Sequence, residues 1–146
     1  MANMDGLLLE KLVLDIINDK LFNIIGGNMN DIILKSFEKP DETRIFDKGK
    51  FEIVNLPNMV IGKATYQPGW KWSEDVSPLS GTEFCEVEHL GMVLSGSATV
   101  DFKDGKVHVL TKGDIFYVSS KSHDSWVLDN EEYISIHFLG AEGYAD

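Results

Sequence analysis

The chain has 146 residues, about what one hydrophobic core serves, and its 43 % hydrophobic and 25 % charged content is that of a folded globular protein, not of a disordered one. A formal net charge of −11 argues against binding to phosphate backbones or to anionic membrane surfaces, which need concentrated Lys and Arg. A small molecule or another protein is the expected partner. The average field favours a neutral or cationic ligand, although a metal would reverse that field locally.

From Asp5 to Ile25 apolar residues recur at helical spacing: Leu9, Leu12, Val13, Ile16, Ile17, Leu21 and Ile24. Asn3 or Asp5 can cap this helix and Gly26-Gly27 can end it. Glu10, Lys11, Asp15, Asp19 and Lys20 interrupt the stretch, and neither a signal peptide nor a membrane span fits. Further apolar residues widen the stripe, so the helix needs covering, either by its own domain or by its copy in a homodimer. Residues 1–27 are therefore expected as a helical extension and 28–146 as one β domain.

After Asn28 the pattern turns to short alternating runs: Lys50 to Leu56, Asn58 to Tyr66, Glu83 to Leu94, Thr99 to Lys103, Lys106 to Leu110, Ile115 to Val118, Ser125 to Leu128 and Tyr133 to Leu139. Pro68-Gly69 ends the second, and a loop from Trp70 to Thr82 follows it. Asp104-Gly105 is a strong hairpin signal, and Lys112-Gly113-Asp114 reads as a turn. At least seven short strands with frequent turns predict a barrel or sandwich.

If residues 83–94 form one extended strand, Glu83, Cys85 and His89 share a face. A carboxylate, a thiol and an imidazole are all metal ligands when deprotonated, and each is costly to bury alone. On a straight strand they are too far apart for one ion, so a bend near Cys85 is required. The alternative is a small buried cysteine beside histidines that are satisfied within the core. Cys85 is the only cysteine, so no intrachain disulfide forms, which suits a reducing cytoplasm.

Glu83-x-Cys85, three residues, His89, six residues, Gly96 resembles the first motif of the cupin superfamily in spacing, with each ligand type exchanged for another. Gly113 and His123 stand near the places of the second motif, the histidine one residue early. Pro68-Gly69-Trp70-Lys71-Trp72-Ser73, Gly81-Thr82-Glu83-Phe84-Cys85 with His89, and His123-Asp124-Ser125-Trp126 resemble a subgroup of small cupins of unassigned function. The resemblance spans residues 40 to 140. It implies a mainly β fold, a cupin-type antiparallel β-barrel (jelly roll) beside the amino-terminal α-helix.

It also implies that Glu83, Cys85, His89 and His123 converge inside. That set suits a divalent metal ion, zinc or iron, better than magnesium or calcium. Glu83 is either a fourth ligand or, with Tyr117, a group that moves protons. Trp70, Trp72 and Trp126 are candidates to line a pocket for a small, partly apolar molecule. Two functions are expected to compete: a metal-dependent enzyme, and a ligand-binding or sensor module whose helix mediates dimerisation. No nucleophile elbow, Walker loop or dinucleotide fingerprint is present.

Overall fold

A computed structural model describes residues 10, 11, 13–16 and 32–145, and the chain divides into two units, Met1–Leu34 and Lys35–Asp146. In the first unit the described residues 10, 11 and 13–16 are helical. The remainder of the expected helix, with its cap and its Gly26-Gly27 end, lies outside the described residues. No helix among the described residues is long and apolar enough to cross a membrane.

The second unit is built from eight strands: β1 Glu42–Phe46, β2 Gly49–Leu56, β3 Met59–Tyr66, β4 His89–Ser95, β5 Ser97–Asp101, β6 Val107–Thr111, β7 Ile115–Val118 and β8 Tyr133–Leu139. Six of them form an antiparallel sheet in the order β1-β2-β3-β8-β4-β7, and β5 pairs with β6 in a second sheet. Residues 123–127 extend the second layer through isolated bridges: Ala98 with Val127, Asp101 with Asp124, Cys85 with His123 and Lys71 with Trp126. The expected run from Ser125 to Leu128 is thus a bridging segment, not a regular strand. The described strand pairing makes two layers rather than the closed ring of strands expected from the sequence.

Alternation explains which side of each strand is buried. On β4, His89, Gly91 and Val93 face inward while Leu90 and Leu94 remain exposed, and on β7 Phe116 and Val118 face inward. One core joins the layers, with Phe51, Ala64, Tyr66, Val93 and Phe116 on one side and Trp70, Cys85, Ala98, Val100 and Val127 on the other. After β8 the chain turns inward again. Tyr144 is buried, and Arg44 Nη1 donates to the carbonyl oxygens of Glu142 (3.0 Å) and Tyr144 (2.5 Å), holding that segment against β1.

Gly96 joins β4 to β5 at φ +71°, in the left-handed region. A Cβ there would lie 2.5 Å from the Glu132 carbonyl oxygen and 2.9 Å from Tyr133 Cα, so backbone itself would have to move. Gly96→Ala is expected to destabilise by about 2 kcal/mol, read as a drop of roughly 5–10 °C in the thermal unfolding midpoint.

Candidate metal centre

Cys85 and His123 are held side by side by a two-way backbone bridge: Cys85 N–H donates to the His123 carbonyl (2.9 Å) and His123 N–H to that of Cys85 (3.0 Å). His89 opens β4 four residues later, after the unpaired stretch 86–88. That break in the strand is the bend the donor spacing requires. Among the described residues, Cys85, His89 and His123 place one donor atom each within 4.8 Å of one another, and all three are buried.

The donor chemistry fits a metal. A tetrahedral ion with metal–sulfur about 2.3 Å and metal–nitrogen about 2.0–2.1 Å separates sulfur from nitrogen by roughly 3.5 Å. Cys85 Sγ and His89 Nε2 are 3.3 Å apart. His123 Nδ1 lies 2.7 Å from the Lys121 carbonyl oxygen. A carbonyl only accepts, so Nδ1 carries the hydrogen and the lone pair of Nε2 is left for coordination. His89 Nδ1 has no such partner among the described residues and is buried. Burial pushes the Cys85 thiol up to about 12 and holds His89 well below the ordinary imidazole range, with His137 and His123 adding to the latter effect. Burial also lowers His123, against its bond to Lys121. Without an ion the cluster is thus a neutral thiol beside neutral imidazoles.

A cavity of about 50 Å³ adjoins the cluster, and its lining includes Cys85, His89 and His123 together with Tyr66, Tyr133, Ser135, His137 and Tyr144. Ser135 Oγ is 2.9 Å from His137 Nε2, and Tyr133 shares a hydrogen bond with Ser135. The His137 ring lies 5.4 Å from that of His89, centroid to centroid. Tyr66 Oη donates to Tyr144 Oη at 2.6 Å.

The sequence-predicted residues divide. Cys85, His89 and His123 come together, while Glu83 is exposed, lies on a bend instead of a strand, and is outside the donor cluster. Tyr117 is 62 % exposed and donates to Glu88 on the outer face, because its neighbour Phe116 takes the inward position. Trp70 and Trp72 line the cavity and are buried. Trp126 lines a separate surface cleft with Lys71 and Lys103. His137, Ser135 and the three tyrosines were not singled out from the sequence. Tyr133, Ser135 and His137 share one side of β8 and are buried while Ile134 and Ile136 are less so, but with apolar residues on both sides the sequence marks neither as the inward one.

Asp124 explains why His123 is followed by an acid. Its carboxylate is buried and accepts from Ser73 N–H (3.1 Å), Ser73 Oγ (2.8 Å) and Ser125 N–H (2.9 Å). It ties the Trp70–Ser73 loop to the segment bearing His123. Asp124→Ala would strip three donors of their acceptor and is expected to destabilise by about 2 kcal/mol, measured by urea unfolding. An unchanged midpoint would show that the clamp is unnecessary.

No protein-family model matches the chain, and no curated protein matches it. Solved structures do. A protein of unknown function from Rhizobium leguminosarum bv. viciae is 20 % identical with a TM-score of 0.53, over 73 % of this chain and 93 % of that one. The polyketide cyclase RemF from Streptomyces resistomycificus is 13 % identical with a TM-score of 0.54, over 73 % and 77 %. The oxalate decarboxylase of Lactobacillus farciminis, solved as a formate complex, is 15 % identical with a TM-score of 0.50, over 68 % of this chain and 30 % of that one. At these identities the likeness shows the fold alone, which is cupin-like.

Proposed function

We propose that this chain is a small metal-binding cupin in which Cys85, His89 and His123 hold one zinc or iron ion beside the cavity. The observation that carries the reading is the approach of three buried donors of suitable chemistry within 4.8 Å. Three protein ligands leave a position for water or a small molecule, the arrangement of catalytic rather than structural zinc sites. Zinc or iron there would supply Lewis acidity toward whatever occupies that position.

The protein's own contribution is positioning and exclusion of water. Among the described residues no Asp, Glu, Lys or Arg lines the cavity, so a proton on a bound molecule would be moved by tyrosine or histidine. Lack of a carboxylate base favours a second reading, a module that binds a small molecule without transforming it. Elemental analysis of protein prepared in metal-replete medium tests the shared premise. Close to one zinc or iron per chain is expected, and a metal-free protein that takes up neither on dialysis would refute it.

A cytoplasmic homodimer completes the proposal. Leu90, Leu94, Ile115 and Tyr117 lie exposed on the outer face of β4 and β7, and β7 ends the sheet order. A contiguous apolar face of this kind is commonly covered by a partner, here a second copy. Light scattering behind size-exclusion chromatography is expected to give twice the chain mass, and Ile115→Lys to shift it toward the monomer. A monomeric full-length chain at micromolar concentration would remove this part.

A further inference from the structure

Lys71 is extended, with φ −143° and ψ 129°, so the side chains of Trp70 and Trp72 leave the chain on one side and that of Lys71 on the other. Lys71 lines the surface cleft, while both tryptophans stand in the wall of the cavity, Trp70 1 % and Trp72 3 % exposed. Backbone bonds fix the pair: Trp72 N–H donates to the Ser125 carbonyl (2.8 Å), and Val127 N–H donates to that of Trp70 (3.1 Å). The Trp70 indole also stacks on Tyr66, with centroids 3.7 Å apart and an interplanar angle of 8°.

Among the described residues, six buried side-chain nitrogen or oxygen atoms have no hydrogen-bond partner, and four of them belong to residues of this one cavity wall. They are Nε1 of Trp70, Nε1 of Trp72, and Nδ1 of His89 and of His137. Such atoms are rare, because each has given up its bonds to water for nothing, and their concentration at one cavity marks a place for a polar occupant. The imidazole nitrogens donate or accept according to tautomer and fix no direction. An indole N–H only donates. The occupant therefore has to present acceptor atoms to the indoles, and a donor-only group such as an ammonium serves neither.

We propose that Trp70 and Trp72 recognise the carbonyl-type oxygen of a small ligand, a ketone, amide or carboxylate, through hydrogen bonds from the two indoles. This inference rests on the reading of the cavity as a small-molecule site and needs no metal ion.

The three indole N–H resonances of the isotope-labelled full-length chain test it, with Trp126 as a control outside the cavity. Acetone and acetate are the oxygen probes, and isobutene has the shape of acetone without its oxygen. The indole protons of Trp70 and Trp72 are expected to move downfield saturably with at least one oxygen probe and to keep their positions with isobutene. The Trp126 proton is expected to stay in place throughout. Trp72→Phe, which also assigns one resonance, is expected to weaken the responding probe about 5-fold, the worth of a neutral hydrogen bond. Trp126→Phe is expected to leave that affinity unchanged.

Indole protons that respond to neither oxygen probe, or an affinity that Trp72→Phe leaves intact, would overturn the proposal, ordered water then being what serves the two N–H groups. Equal shifts with isobutene would overturn oxygen recognition while keeping the cavity as a small-molecule site. If Trp72→Phe does not fold, the contrast between the oxygen probes and isobutene in the unaltered chain still decides.

Discussion

Cys85→Ser is expected to lower zinc or iron affinity by more than about 100-fold, beyond the 10- to 100-fold that loss of a supporting hydrogen bond costs a metal site. The change removes little volume, so the core around it should keep its packing. What it removes is charge. Burial pushes the Cys85 thiol up to about 12, yet a bound cation still favours its deprotonation, because thiolate coordinates directly. A serine hydroxyl stays neutral and would leave the ion doubly charged in a cavity whose described lining residues include no carboxylate. His89→Ala and His123→Ala are expected to have effects of similar size. Glu83→Gln should retain full metal content, since that side chain is exposed and outside the cluster. Competition with a chelator and metal-to-chain ratios measure all four. Retention of stoichiometric, tight metal by Cys85→Ser would dismiss the thiolate as a ligand.

The strands were legible wherever one face is buried and turn residues bound the run. The hairpin at Asp104-Gly105 and the turn at Gly113 both hold, with φ of +89° and +93° at the two glycines. β1 was missed because four of its five residues are at least partly exposed, so Glu42-Thr43-Arg44-Ile45 shows no core-directed period. The two single-turn helices Trp72–Asp75 and Ser77–Ser80 are too short for any period to develop. Local chemistry closes the first: Lys71 N–H donates to the Asp75 carboxylate at 2.7 Å.

The candidate site was legible in part for a related reason. The motif spacing pointed to Glu83 as much as to Cys85 and His89, with His123 one residue off its place, and the structure brings together Cys85, His89 and His123 without Glu83. Residues 81–84 are bends, which breaks the period before it reaches Glu83. Tyr66, Tyr133, Ser135, His137 and Tyr144 escaped because outer positions such as Ile134 and Ile136 are apolar too, so alternation on β8 does not tell inside from outside. Tyr144 follows the last strand, where no period exists. It reaches the cavity through long-range contacts, the Arg44 clamp and the Tyr66 hydroxyl, that no local pattern encodes.

The buried histidines should make the metal-free protein acid-sensitive. Burial lowers His137 to about 4 and His89 well below its ordinary value, whereas in the unfolded chain both titrate near 6.5. Below pH 6.5 the unfolded chain therefore binds protons that the folded chain does not, and unfolding is favoured. Stability is fully present above about pH 7 and falls as the pH drops toward 4, where the folded His137 also begins to titrate. His137 alone would contribute about 3 kcal/mol across that window, and His89 acts in the same direction. That is a large share of the roughly 5–15 kcal/mol that holds a typical domain together. Urea unfolding at successive pH values measures the slope, and His137→Gln, which can keep a partner for Ser135, should flatten it by about one proton. The ring packs against Phe51 and Phe116 at centroid distances of 5.3 and 5.5 Å, so protonation would place a charge among hydrocarbon with one serine hydroxyl for company. A metal-free protein equally stable at pH 7 and pH 4.5 would mean that His137 is charged when folded, and that the cavity is wetter than its lining suggests.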